Sequence, residues 1–106
     1  MESPLFSIIT ITFNAAATLP ATLQSVERQT FTDYEYLIAD GASTDGTVAL
    51  ARASRAVTSV VSEPDRGLYD AMNKGLRRAK GRYLIFLNAG DALHSPDTLQ
   101  KIAHSI

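Results

Sequence analysis

Leu5-Phe6-Ser7-Ile8-Ile9-Thr10-Ile11-Thr12-Phe13 is the stretch on which the fold turns. It is apolar almost throughout and rich in Ile and Thr, whose branched side chains favour a pleated strand. A strand without regular polar alternation suits a sheet covered on both faces, the condition of parallel sheets. Residues 34–40, 57–62 and 83–87 share that character. Helical patterns lie between these runs. Leu19, Leu23 and Val26 recur at spacings of four and three, and Pro20 suits a first turn. Val48, Leu50, Ala51 and Ala53 mark a short second helix, which Asp45 or Thr47 starts by capping free amides. Leu68, Met72, Leu76 and Ala79 form the clearest stripe, with Gly81 placed as its stop; Leu99, Ile102, Ala103 and Ile106 form the last. Strands alternating with helices imply right-handed crossovers between parallel strands. The expected fold class is α/β, a three-layer α-β-α arrangement with a mainly parallel, Rossmann-like sheet.

Composition narrows the function. The 106 residues fit one domain near the lower end of self-sufficient size, and 45% apolar with 20% charged residues excludes disorder. A net charge of −1 makes nucleic acid or an anionic membrane a poor bulk electrostatic partner. With no cysteine, disulfides and thiolate metal sites are excluded. Ala15-Ala16-Ala17 imitates a signal-peptide cleavage site, but the charge ahead of the apolar run is Glu2, where such a peptide carries Lys or Arg. No segment reaches the ~20 apolar residues of a membrane span. The expected location is cytoplasmic, free or at the inner face of the membrane.

Ligands of doubly wound sheets bind beyond the carboxyl ends of the strands. Four polar loops leave that edge: Thr12-Phe13-Asn14; Asp40-Gly41-Ala42-Ser43-Thr44-Asp45-Gly46-Thr47; Ser62-Glu63-Pro64-Asp65-Arg66-Gly67; and Asn88-Ala89-Gly90-Asp91. Turn chemistry explains any one of them, but four together indicate a polar ligand site. The glycine fingerprint of dinucleotide folds and the Gly-Lys-Ser/Thr of a P-loop are both absent. Acidic loops hold phosphate through a divalent cation, because hard cations take oxygen ligands and keep phosphates in their shell. The residues alone point to a metal-assisted nucleotide site.

These segments resemble family 2 glycosyltransferases of the GT-A fold. Ser7 to Asn14 is similar to the family's opening strand, which ends Tyr/Phe-Asn. The loop from Asp40 to Thr47 resembles its Asp-Asp-Gly-Ser-Thr-Asp-Gly-Thr, and Ser62 to Gly75 its third segment, especially in members that build bacterial surface polysaccharides. Residues 79–88 lead into the position of its metal motif. The resemblance covers essentially the whole chain and implies that residues 1–106 are the nucleotide-sugar-binding part, without the acceptor-binding part. It implies that Thr12, Phe13 and Asn14 line the nucleotide pocket, with the Phe13 ring against base or ribose. Asp40 would accept a hydrogen bond from the base, most naturally a uracil imide, Arg66 would meet base or diphosphate, and Asp91 would reach a bridging Mn or Mg ion. The family's Asp-x-Asp-Asp reads Asn88-Ala89-Gly90-Asp91 here, so a single carboxylate remains.

The implied reaction is inverting transfer of a sugar from a nucleoside diphosphate donor, a UDP-sugar by this reading, to a saccharide or lipid-linked acceptor in surface polysaccharide synthesis. Such transfer needs a carboxylate base, which the family carries beyond the position of Ile106. Asp97 reads as a helix cap instead. Asp70 and Lys74 read as a surface pair, Asn73 as a ligand of loop backbone, Asp45 as a turn-and-cap residue, and neither His94 nor His104 is given a role. The alternatives are a catalytically inactive nucleotide-binding module and a sugar-phosphate nucleotidyltransferase; the latter lacks its Gly-rich basic loop here. An unpaired strand edge and an apolar surface left bare by this half of the fold predict a homodimer or higher oligomer.

Overall fold

The computed structural model describes residues 3–106. Strands β1 (Phe6–Thr12), β2 (Tyr34–Asp40), β3 (Ser59–Ser62) and β4 (Tyr83–Phe86) alternate with helices α1 (Leu19–Glu27), α2 (Thr47–Ala53), α3 (Leu68–Arg78) and α4 (Thr98–Ser105). All strand pairs are parallel, in the order β3-β2-β1-β4. The chain steps outward from β1 to β3, then crosses back to place β4 on the other side of β1. That reversal is the topological switch point, where α/β sheets bind ligands. The expected α/β architecture is the one observed.

Phe6, Ile8, Tyr36 and Ile38 turn one face of the sheet into a core with Leu19, Leu23 and Val26 of α1, Ala51 of α2 and Leu99 of α4. The α1 stripe read from the sequence is therefore buried as expected. Buried polar groups in this layer are partnered: Tyr36 Oη and Thr10 Oγ1 lie 2.7 Å apart, and burial pushes the Tyr36 hydroxyl up to about 12. The outer strands are less covered than continuous apolar runs suggested. Tyr83, Leu84 and Phe86 of β4 are exposed, because no helix packs closely on this edge strand.

Helix α3 departs from its sequence pattern. Its buried residues are Ala71 and Gly75, while Leu68 and Leu76 of the apolar stripe stay exposed. The helix covers β1 and β2 so closely that a Cβ on Gly75 would lie 2.8 Å from Ile9 Cγ2. Arg78 ends it by donating to Ile38 O (3.0 Å) and Ser59 Oγ (2.7 Å). Gly81 is not the helix stop; α3 ends three residues earlier. A Cβ on Gly81 would fall 2.5 Å from the Ser7 amide nitrogen, so its role is close backbone approach. Beside it the buried Glu35 carboxylate takes the Ser7 hydroxyl (2.5 Å) and the Lys80 amide (2.6 Å). The −1 net charge conceals a concentration of cations at this turn: Arg77, Arg78, Lys80 and Arg82.

Asp97 stands at the N-cap of α4 but makes no side-chain cap; its carboxylate takes the Ser95 hydroxyl and pairs with Lys101 at 3.4 Å. Among the described residues no helix is long and apolar enough to cross a membrane. The tight α3 contact generates a prediction. Gly75→Ala should destabilise the fold by about 1–2 kcal/mol in urea unfolding, because overpacking against Ile9 outweighs the roughly 1 kcal/mol helix-propensity gain. A stabilised variant would mean that α3 stands off the sheet.

Candidate nucleotide site

The site begins with register. Thr12 lies opposite Asp40 in the β1/β2 pairing, and Asp40 opposite Ser62 in the β2/β3 pairing, so the three end their strands in one row. Asp40 Oδ1 accepts from Thr12 Oγ1 (2.6 Å) and Ser43 Oγ (2.6 Å). Its Oδ2 accepts from the Ser43 amide (2.8 Å) and Ser62 Oγ (2.8 Å). Burial opposes the charge on this carboxyl, but the hydrogen bonds from Ser43, Thr12 and Ser62 prevail and hold it below the usual aspartate range. A carboxylate offers about four lone-pair positions, and protein donors fill them. The sequence pointed to a base contact for Asp40, and the structure shows the protein's own donors already meeting this carboxylate. Thr12 is buried with its hydroxyl committed to the same carboxylate.

Asn14 adopts φ 48° and ties the first loop to the second. Its amide donates to Ser43 Oγ (2.8 Å), and its Oδ1 accepts from the Thr44 amide (2.8 Å). Asp45 takes the Ala16 amide (3.2 Å) and the Thr47 amide that opens α2 (3.0 Å), which is the turn part of its reading; the N-cap position itself is Gly46. The first loop thus rests on the second through side chains. Ala42 holds φ 63°, a left-handed conformation that disfavours any side chain, at the position of the glycine in the family's loop.

Phe13 is 65% exposed at the end of β1, its ring turned to solvent and not to the core. A Cβ on Gly41 would lie 3.6 Å from Phe13 Cδ1 and 2.5 Å from Asp65 Oδ2. Glycine at 41 thus lets the third loop close onto the second, with Asp65 beside the aromatic ring. Asp65 Oδ1 accepts the Gly67 amide at 3.1 Å. Arg66 is exposed on the same loop, its amide donating to Asp70 Oδ2 (2.9 Å). The expected Asp70–Lys74 pair forms at 3.4 Å, but Lys74 also meets Glu63 (3.4 Å) and donates to Pro64 O (2.7 Å). Asp70 and Lys74, not the exposed Asn73, are therefore the α3 residues that grip the loop backbone.

The fourth loop hangs from α1. Thr22 Oγ1 donates to Asp91 O (2.6 Å) and accepts the Gly90 amide (2.8 Å), while Gly90 takes φ 99°. This fixes the backbone and leaves the side chains of Asn88 and Asp91 exposed. Among the described residues no three His, Asp or Glu side chains gather as a metal cage. A single carboxylate fits a cation of the Mg or Mn kind only where substrate phosphates and water complete the shell, which is how such ions are commonly held. Ser43, Ser62, Asp65 and Lys74 carry much of this edge without any periodic signal in the sequence. Only the register and the crossovers bring them together.

The fold is that of the GT-A glycosyltransferases. Comparison with known proteins agrees: the pattern of Glycosyl transferase family 2 matches residues 7–106, and the chain belongs to that family. It is 44% identical, over 97% of its length, to a PGL/p-HBAD biosynthesis glycosyltransferase of Mycobacterium tuberculosis, of which it covers 42%. Among solved structures it is similar to Staphylococcus aureus TarS residues 1–349 in complex with UDP-GlcNAc, at TM-score 0.85 and 26% identity over 93% of this chain and 30% of that one. It is also similar to the mannosyltransferase PcManGT of Pyrobaculum calidifontis in complex with GDP-Man and Mn2+, at TM-score 0.81 and 28% identity over 92% and 31%. The chain spans about two-fifths of the length of the curated relatives it matches.

Two predictions follow from the loops. Ala42→Gly should raise stability by about 0.5–1 kcal/mol, because relief of the left-handed strain exceeds the entropy that glycine adds to the unfolded chain. Unchanged or lowered stability in urea would place Ala42 outside that region. Asp40→Asn should cost about 1–3 kcal/mol at neutral pH, since its charge-assisted bonds are lost and its NH2 can meet Thr12 and Ser43 only if their hydroxyls turn from donating to accepting. Because the native carboxyl is depressed, its contribution is full above the unfolded value near ~4 and drains away as pH falls through the native value. The gap between wild type and variant should therefore narrow in acid; a constant gap would contradict the network.

Proposed function

We propose that residues 1–106 form the nucleotide-sugar-binding part of an inverting glycosyltransferase, which moves a sugar from a nucleoside diphosphate donor to a saccharide or lipid-linked acceptor in surface polysaccharide synthesis. The supporting observation is the Phe13 ring, exposed at the switch-point edge amid loops that carry Asp65, Arg66 and Asp91. An aromatic there provides a stacking platform for a base, and Arg66 supplies positive charge for the diphosphate. Thr12, Asn14 and Asp40 keep that surface in shape. That similar proteins bind UDP-GlcNAc and GDP-Man supports a nucleotide-sugar donor and leaves uridine and guanosine as the two candidate bases.

Asp91, with Asn88 nearby, would hold a Mn or Mg ion against the diphosphate, and the ion would neutralise charge on the leaving group. Deprotonation of the acceptor hydroxyl needs a carboxylate base. Asp97 is engaged with Ser95 and Lys101, so the base is assigned to the remainder of the enzyme. The exposed Leu84 and Phe86 of β4 and the exposed Leu76 of α3 support self-association of this chain, which sedimentation equilibrium measures. One observation favours the alternative of an inactive nucleotide-binding module: the fourth loop carries only one carboxylate.

Calorimetry decides between these readings. UDP or GDP should bind more tightly than ADP, and Phe13→Ala should lose about tenfold or more in affinity, the scale of one base–aromatic stack. Asp91→Ala should abolish the manganese-dependent gain in affinity and leave the melting temperature unchanged. Binding without any manganese dependence in wild type would favour the inactive module. Equal affinity for all three nucleotides would remove the base pocket.

A further inference from the structure

We propose that Asp65 reads the base of the donor by accepting its ring N–H, N3–H in uracil or N1–H in guanine. This rests on the nucleotide-binding role proposed above. Four aspartates stand in the loops of the ligand edge, and three are unsuited to the task. Asp40 has its acceptor positions filled by Thr12, Ser43 and Ser62. Asp45 is spent on the Ala16 and Thr47 amides. Asp91 belongs to the fourth loop, whose Gly90 has Thr18 of the α1 entry as its neighbour, whereas Gly41 has Phe13 and Asp65.

Asp65 alone combines a vacant oxygen with a place beside the aromatic. Its Oδ1 takes the Gly67 amide, while no protein donor among the described residues reaches Oδ2. The same Oδ2 borders Gly41, which in turn borders the edge of the Phe13 ring. A base lying on Phe13 presents its in-plane edge sideways, toward groups at the rim of the ring. A carboxylate there accepts and never donates. It favours bases with a ring N–H over cytosine, whose ring N3 is itself an acceptor.

Position 41 makes this arrangement possible. The family's loop carries Asp-Asp where this sequence reads Asp40-Gly41. A side chain at 41 would occupy the space that the Asp65 carboxylate enters, and glycine leaves it open. The carboxylate missing from the second loop is thus supplied from the third. It is also held in place: Lys74 fixes Pro64 and Glu63, and Asp70 fixes the Arg66 amide. A group that is already positioned loses less freedom on binding.

The test is calorimetry of the 106-residue chain with UDP, GDP and CDP. Wild type should prefer UDP or GDP to CDP, and the better of the two names the base. Asp65→Asn should lose about tenfold for that nucleotide, the scale of one hydrogen bond to a charged group. It should also gain for CDP, since its amide can donate to cytosine N3; loss of a purely structural role would not shift this ratio. Gly41→Ala is the second variant. Its methyl would press on Oδ2 and displace the carboxylate, lowering the preference over CDP with Asp65 intact. An unchanged ratio to CDP in both variants, or equal weakening for all three nucleotides, overturns the assignment and leaves the proposed function standing. A folded wild type that binds none of the three overturns both.

Discussion

The carboxylate of Asp40, met by Thr12 and Ser62 across the sheet, is the interaction on which the ligand edge depends. Parallel strands run about 4.8 Å apart, so residues abreast in register can share a hydrogen bond from a short side chain. The register puts Thr12, Asp40 and Ser62 abreast. A buried carboxylate without partners would be strongly destabilising, but donors from two neighbouring strands and Ser43 of its own loop satisfy this one. The result is that β1, β2 and β3 end along a common line, and their loops leave from it together. A slip of one residue would turn the row to the opposite face and dissolve the edge.

The other side of the switch point is built differently. Its loop is held mainly by buried polar residues of α1 and of the turn that follows it. Thr22 grips Gly90 and Asp91, Ser25 takes the Leu93 amide, and Gln29 spans the Ser95 carbonyl and the Leu99 amide. Ordinary helix logic would give these positions to apolar residues. Here they satisfy backbone groups of a segment with no sheet partner beyond Leu87, as buried amides and carbonyls require. Backbone anchoring also explains how the fourth loop keeps its shape although only Asp91 remains of an acidic motif.

Helix α3 shows packing overriding pattern. Its apolar stripe would predict Leu68, Leu76 and their neighbours against the sheet, yet the sheet takes Ala71 and Gly75. Small residues let the helix approach β1 closely, and close approach brings Arg78 within reach of β2 and β3. The large residues Leu68 and Leu76 stay exposed, as do Leu84 and Phe86 of β4. Lys74 and Asp70, on the same helix, reach the third loop and set the level at which Asp65 and Arg66 stand.

The sequence by itself determined the order of elements, the parallel sheet and the family. Branched apolar runs and helical stripes are local patterns, and an alternating chain of this kind has few topologies open to it. It also marked Phe13, Arg66 and Asp91 as residues of the ligand edge, because loops after strands are legible from turn chemistry. Tertiary structure alone decided which carboxylate is available. Asp40 and Asp65 look alike as letters in polar loops; the difference is that register surrounds one with donors and the Gly41 contact leaves one oxygen of the other open. Likewise nothing local distinguishes Gly75, pressed on Ile9, from a glycine that merely weakens a helix. Hydrogen-bond saturation and close approach are properties of residues far apart in the chain, and they exist only once the crossovers have brought those residues together.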